Sequence, residues 1–100
     1  MKIYANPISP PSRMVVAVAN FLEIDFEYVN VDLHEGEHLK EDFEKVNPFK
    51  KIPAFVQRDF TLFESFAIMR YLCDNLGGDR GEYIFPRDAK KRAEINMYLG

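Results

Sequence analysis

Four short clusters in this chain of 100 residues combine ligand-holding side chains with a telling arrangement. His34-Glu35-Gly36-Glu37-His38 spells H-E-x-x-H, which binds zinc when a helix projects both imidazoles from one face. Ser9-Pro10-Pro11-Ser12-Arg13 stands where a short apolar run gives way to a helical pattern. Backbone N–H groups and the helix dipole favour an anion at such a junction. A serine hydroxyl there can donate to a thiolate, phosphate or carboxylate. Lys50-Lys51-Ile52-Pro53 leads into another apolar run. A proline opening a strand pairs on one side only, and a cis Ile52–Pro53 bond would turn the Ile52 backbone outward toward an extended ligand. Glu64-Ser65 opens a further helical pattern. There the Ser65 hydroxyl and N–H can hold a carboxylate, and Glu64 can hold an ammonium.

Each group also has a plainer reading. Gly36, in the middle of the histidine motif, would cost about 1 kcal/mol inside a helix. No apolar stripe precedes Leu39, and the chain has only two histidines. Ser9 suits an ordinary N-cap. An X–Pro bond is cis in only about 5–6% of cases, so a trans turn with two solvated lysines is the default at Pro53. Thr61-Leu62-Phe63-Glu64 fits a capping box.

The secondary structure carrying these clusters can be read from apolar periodicity. Ile3-Tyr4-Ala5 reads as a buried strand stopped by Asn6-Pro7. Met14, Val15, Val18, Phe21 and Leu22 recur at helical spacing between Pro10 and Leu22, and proline is tolerated in a first turn. Phe26 to Asp32 reads as a second strand, parallel to the first if the three form a βαβ unit. Leu39, Phe43 and Val46 mark a helix over 37–46, stopped by Asn47-Pro48. Pro53 to Val56 and Phe60 to Leu62 read as a hairpin around Gln57-Arg58-Asp59, a turn without glycine. Ile68, Leu72 and Leu76 mark a third helix from Ser65, closed by Gly77-Gly78. Residues 79–88 read as a linker, and Ala89 onward as one more short helix. The order β-α-β-α-β-β-α predicts an α/β fold, a mixed four-stranded sheet with helices on both faces.

At this order, the start of the first helix, the turn before Pro53 and the start of the third helix gather at one edge of the sheet. A hydroxyl, an exposed backbone edge and groups for an amino-acid end suit a small anionic peptide. Length allows about one domain, and a single cysteine, Cys73, excludes a disulfide framework. Thirteen basic against sixteen acidic residues give a net charge of -3, which argues against nucleic acid. No apolar run reaches the roughly 18 residues of a membrane span. The N-terminus lacks the apolar stretch of a signal peptide. These features predict a cytoplasmic protein.

Ser9-x-Pro11-x-Arg13, Gly36-Glu37-His38-Leu39, Val46-Asn47-Pro48, Lys51-Ile52-Pro53-Ala54, Phe60-Thr61-Leu62-x-Glu64-Ser65 and Ala67-Ile68-x-x-Tyr71-Leu72 together resemble one family. It is the N-terminal, thioredoxin-like domain of cytosolic glutathione transferases, nearest the serine classes theta and delta. The resemblance implies a βαβ-α-ββα thioredoxin-like fold with glutathione as co-substrate and no other cofactor. Ser9 would donate to the glutathione sulfur and favour the thiolate. Glu64 and Ser65 would hold the γ-glutamyl end, and Ile52, before a cis Pro53, would pair its backbone with the cysteinyl unit. His38 and Lys51 would reach the glycyl carboxylate. The thiolate would then attack an electrophilic apolar compound.

The resemblance places His38 at glutathione and His34 in a variable loop, leaving no metal site. It implies a glutathione-binding domain over 1–78, a linker over 79–88 and, over 89–100, the start of an all-helical second domain. A homodimer is implied for the full-length protein. Phe66 departs from the arginine that delta members often carry there. Both positions of a thioredoxin-type Cys-x-x-Cys would be Ser9 and Ser12, so dithiol exchange lacks its nucleophile. Cys73 reads as a small core residue. The alternative is a non-catalytic module that binds glutathione or a protein, which would need Ile52, Glu64 and Ser65 but not Ser9.

Overall fold

The structure, a computed structural model, describes residues 1–99. Strands β1 (Lys2–Ala5), β2 (Glu27–Asn30), β3 (Ala54–Gln57) and β4 (Phe60–Phe63) form one sheet in the order β2-β1-β3-β4. β1 and β2 are parallel, and β3 is antiparallel to both β1 and β4. This is the expected mixed four-stranded sheet.

Side chains alternate between the two faces of the sheet. Ile3, Ala5 and Phe55 point to one face, with helices α1 (Pro10–Phe21) and α3 (Ser65–Asn75) packed over it. Val15, Ala19, Ile68 and Leu72 fill that layer, all fully buried. Tyr4 and Ala54 belong to the opposite face, against Phe43 of the short helix α2 (Glu41–Glu44). The two expected faces of helix are therefore both present.

Two local readings are corrected. The helix expected over 37–46 is a 3-10 turn, Glu37–Leu39, followed by α2, with Lys40 extended between them (φ -81, ψ 157). Gly36 at φ 69 is left-handed, and Asp32 and Glu37 clasp the turn around it. The Asp32 carboxylate accepts from His34 N and Glu35 N (3.0 and 3.2 Å), while Glu37 accepts from Asp32 N (2.6 Å). The capping box at Thr61–Glu64 is absent. Thr61 lies within β4, and Glu64 itself is the N-cap of α3, with no side-chain cap bond.

The stretch 79–88, read as a linker, holds most of helix α4 (Gly78–Ile84). Its glycines look like breakers in the sequence. A Cβ on Gly81 would collide with the Cys73 carbonyl oxygen, so glycine there permits close approach of α4 to α3. Phe85, just beyond, enters the core.

The last helix, α5 (Ala89–Leu99), starts at Asp88, whose carboxylate accepts from Lys91 N (3.1 Å). Gly100, the final residue of the stretch read as a domain start, lies outside the described residues. Arg92 fastens α5 to α3 through two bonds to Asp74 (3.0 and 2.7 Å) while its guanidinium lies over the Phe85 ring at 3.8 Å. Ile95 packs against the core, whereas Met97 and Tyr98 stay exposed. No described helix is long and apolar enough to cross a membrane.

Candidate functional site

Five of the seven expected site residues line one cavity of about 190 Å³: Lys51, Ile52, Pro53, Glu64 and Ser65. Pro11, Asn47, Phe49 and Phe63 complete the wall. Ser9 stands two residues before Pro11 at the N-terminus of α1. His38 lies on the 3-10 turn, not in the cavity lining, and its Nδ1 is buried without a partner.

One wall is the loop 47–53. Asn47 is almost completely buried at 1% exposure. Its Nδ2 donates to the Lys51 carbonyl (2.8 Å), and its Oδ1 accepts from Phe49 N (2.9 Å). The Asn47 carbonyl accepts from Lys50 N (2.9 Å), which fixes Lys50 at φ 58. The Ile52–Pro53 peptide is cis. Ile52 precedes β3, and its N–H and carbonyl have no backbone partner among the described residues. They are free to pair with an extended peptide as an added strand would.

The opposite wall is the β4–α3 junction. Glu64 sits at φ 71, ψ 117, a region that costs a non-glycine residue about 1–3 kcal/mol and persists where the surroundings impose it. Its carbonyl accepts from Ile68 N (3.0 Å). No side chain caps α3, and the N–H groups of Ser65, Phe66 and Ala67 have no acceptor among the described residues. With the helix dipole behind them they favour an anion at this end of α3.

The N-terminus of α1 is built the other way, which corrects the expectation for it. Pro10 and Pro11 at the first two helical positions have no N–H. Ser12 N donates to Ser9 Oγ (3.3 Å) and Arg13 N to the Ser9 carbonyl (3.0 Å). No backbone donor is left over. The Ser9 hydroxyl, in a residue only 8% exposed, spends a lone pair on the cap and keeps its own proton to donate. Ser12 Oγ is buried without a partner.

The histidine motif is a turn leading into the 3-10 segment, not an α-helix. Gly36 breaks any helix between His34 and His38, so the imidazoles do not share a helical face. Among the described residues no three His, Cys, Asp or Glu side chains converge for a metal. Cys73 is buried in the core, and burial, reinforced by Asp74, pushes its thiol up from its ordinary value despite an opposing effect of Arg92.

Asn47 is the residue that sequence reasoning left unassigned. Its signal was a short amide side chain before a proline, a type that bonds nearby backbone in loops.

Residues 1–74 match the family model described as "Glutathione S-transferase, N-terminal domain". This chain belongs to the glutathione S-transferases. Glutathione S-transferase 1 of Manduca sexta is 41% identical over 100 residues, covering 99% of this chain and 45% of that protein. Human glutathione S-transferase theta-1 is 40% identical over 99 residues, covering 99% of this chain and 40% of its own length. The solved structure of human glutathione transferase theta-2, a complex with glutathione and an unknown ligand, matches with a TM-score of 0.93 at 33% identity. It covers 99% of this chain and 40% of the other. A delta-class transferase of Nilaparvata lugens matches at 0.89 and 39% identity, covering 98% of this chain and 45% of its own. The chain thus spans less than half the length of these glutathione transferases.

Proposed function

We propose that this chain is the glutathione-binding half of a glutathione transferase. The observation that carries the reading is the pairing of two complementary walls. An uncapped helix N-terminus at Ser65 faces a free backbone edge at Ile52 across one small cavity. The γ-glutamyl carboxylate seats on the α3 N–H groups and the Ser65 hydroxyl, and Glu64 takes the ammonium. Ile52 pairs with the cysteinyl backbone. Lys51 and His38 take the glycyl carboxylate.

The cysteinyl sulfur then lies toward α1. The Ser9 hydroxyl donates to it and, with the dipole of α1, favours the thiolate. Ser9 is no base here. The thiol proton leaves to solvent, and the serine keeps its own. The thiolate forms a carbon–sulfur bond with an electrophilic apolar compound, whose leaving group departs with the electron pair. Residues 1–78 form the glutathione domain, 79–88 are the connecting segment, and 89–100 open a helical domain that shapes the electrophile pocket. The whole protein is a cytoplasmic homodimer.

A second reading, a module that binds glutathione without turnover, draws on one observation. Ser9 caps α1 and would be retained for that alone.

Titration calorimetry with glutathione tests the binding reading. The wild-type chain is expected to bind, and Ser65→Ala, which removes one donor to a charged group, weakens binding about tenfold or more. An absence of heat at millimolar glutathione in the wild type refutes it.

A further inference from the structure

The loop that delivers Ser9 is held by a small set of contacts. Asn6 is 8% exposed. Its carbonyl accepts from Ser9 N (3.0 Å), and its Oδ1 accepts from Ile8 N (2.9 Å). Arg13 Nη1 donates to the Pro7 carbonyl (2.8 Å). All three bonds lie within the loop and the first turn of α1. One side-chain bond ties the loop to another element. Asn6 Nδ2 donates to Oδ1 of Asn30 (3.2 Å), the last residue of β2 and the register partner of Ala5.

From this geometry we infer that Asn6 and Asn30 are positioning residues for the Ser9 hydroxyl. The inference rests on the role proposed for Ser9 in thiolate stabilisation. Asn6 fixes the Ser9 backbone directly, and Asn30 fixes the Asn6 side chain against the sheet. The bond has a defined polarity. Ile8 N–H claims the oxygen of the Asn6 amide, so its nitrogen faces Asn30, which must present an acceptor.

That polarity sets up a double-mutant test. Asn30→Asp still presents an acceptor. Asn6→Asp still serves Ile8 N–H, and the exposed Asn30 amide turns over to donate to the other carboxylate oxygen. Each single variant keeps the tie. Asn6→Asp with Asn30→Asp sets two carboxylates face to face and breaks it. Asn30→Ala breaks it without adding charge and covers the case in which the double variant fails to fold.

The readout is the thiol pKa of bound glutathione, followed by thiolate absorbance, with the Kd of S-methylglutathione as a control that has no ionisable thiol. Each single Asp variant is expected to raise the thiol pKa only by the through-space effect of one added carboxylate, and the double variant raises it by more than the two singles combined. In the double variant and in Asn30→Ala the ionised fraction at neutral pH falls about two- to tenfold, the range one ordinary hydrogen bond carries. The S-methylglutathione Kd stays within about twofold, since Ser9 does not contribute to holding the rest of the peptide. A shifted thiol pKa that survives in both broken variants overturns the inference and leaves the Ser9 reading standing. A loss of S-methylglutathione affinity equal to the loss of ionised fraction also overturns it, because the pair would then support the whole site. An unshifted thiol in the wild type removes the Ser9 role, and the inference falls with it.

Discussion

Replacing Asn47 tests whether the cavity wall is held as described. Its side chain makes two bonds in a nearly inaccessible place, to the Lys51 carbonyl and from Phe49 N–H. Asn47→Ala removes both, at about 1 kcal/mol net each, and strands a carbonyl and an N–H, so the loss is about 2 kcal/mol or more. For a domain of this size that lowers the melting temperature by about 10 °C. Asn47→Asp is nearly isosteric and keeps the acceptor for Phe49 N–H, but it sets a carboxylate against the Lys51 carbonyl. The charged form is disfavoured in the fold, so the folded pKa rises above the unfolded one. Relative to wild type, this variant is least impaired below the ordinary carboxylate range. It falls behind as pH rises through the raised folded value. Urea denaturation of the three proteins across acidic and neutral pH measures both effects. An Asn47→Ala chain within about 0.5 kcal/mol of wild type, the scatter of ordinary surface changes, refutes the reasoning. So does an Asp variant whose deficit does not depend on pH.

The remaining expectations concern the helical layer. Gly81→Ala drives a Cβ into the Cys73 carbonyl oxygen and is expected to cost about 3 kcal/mol; a urea midpoint unchanged from wild type would contradict the close packing of α4 on α3. Cys73, buried and with its thiol pushed up, should react with a thiol reagent only as fast as the fold opens, and rapid stoichiometric labelling of the native chain would count against that. The Arg92 hydrogen bond holds the Asp74 carboxyl below its usual value. Its contribution is present above the unfolded pKa and is lost as pH falls through the folded one. Stability in acid should therefore decline less steeply for Asp74→Asn, and identical pH profiles would rule the ion pair out as a source of that decline.

The order of elements was legible because Ile3–Ala5, Phe26–Asp32 and Pro53–Val56 are short stretches rich in apolar, aromatic or β-branched residues. Helices α1 and α3 were legible from their 3.6-residue stripes. The helix α4 was not, because Gly77, Gly78 and Gly81 carry the local signature of a break, and only the approach of the Cys73 backbone explains Gly81. The split of 37–46 was hidden for a related reason. Leu39, Phe43 and Val46 keep helical spacing across Lys40, although its backbone is extended. At the site, Ser65 and Ile52 followed from position alone. The two-proline start of α1 could have shown that no backbone donor remains beside Ser9, since proline has none to give. The burial of Asn47 and the Asn6–Asn30 tie could not be seen, because they join loop residues through tertiary packing that leaves no periodic trace.

The role of Ser9 is tested by the thiol pKa of glutathione bound to the wild-type chain and to Ser9→Ala. A hydrogen bond to a charged acceptor contributes about 1.5–3 kcal/mol, which is about one to two pH units. The expected thiol pKa is lowered by at least that much in the wild type and raised by about that much in Ser9→Ala, which keeps only the contribution of the α1 dipole, with binding retained. The lost cap should cost Ser9→Ala about 1 kcal/mol of stability. A thiol pKa that is unshifted in the wild type, or equally shifted in Ser9→Ala, would contradict the assignment of thiolate stabilisation to Ser9.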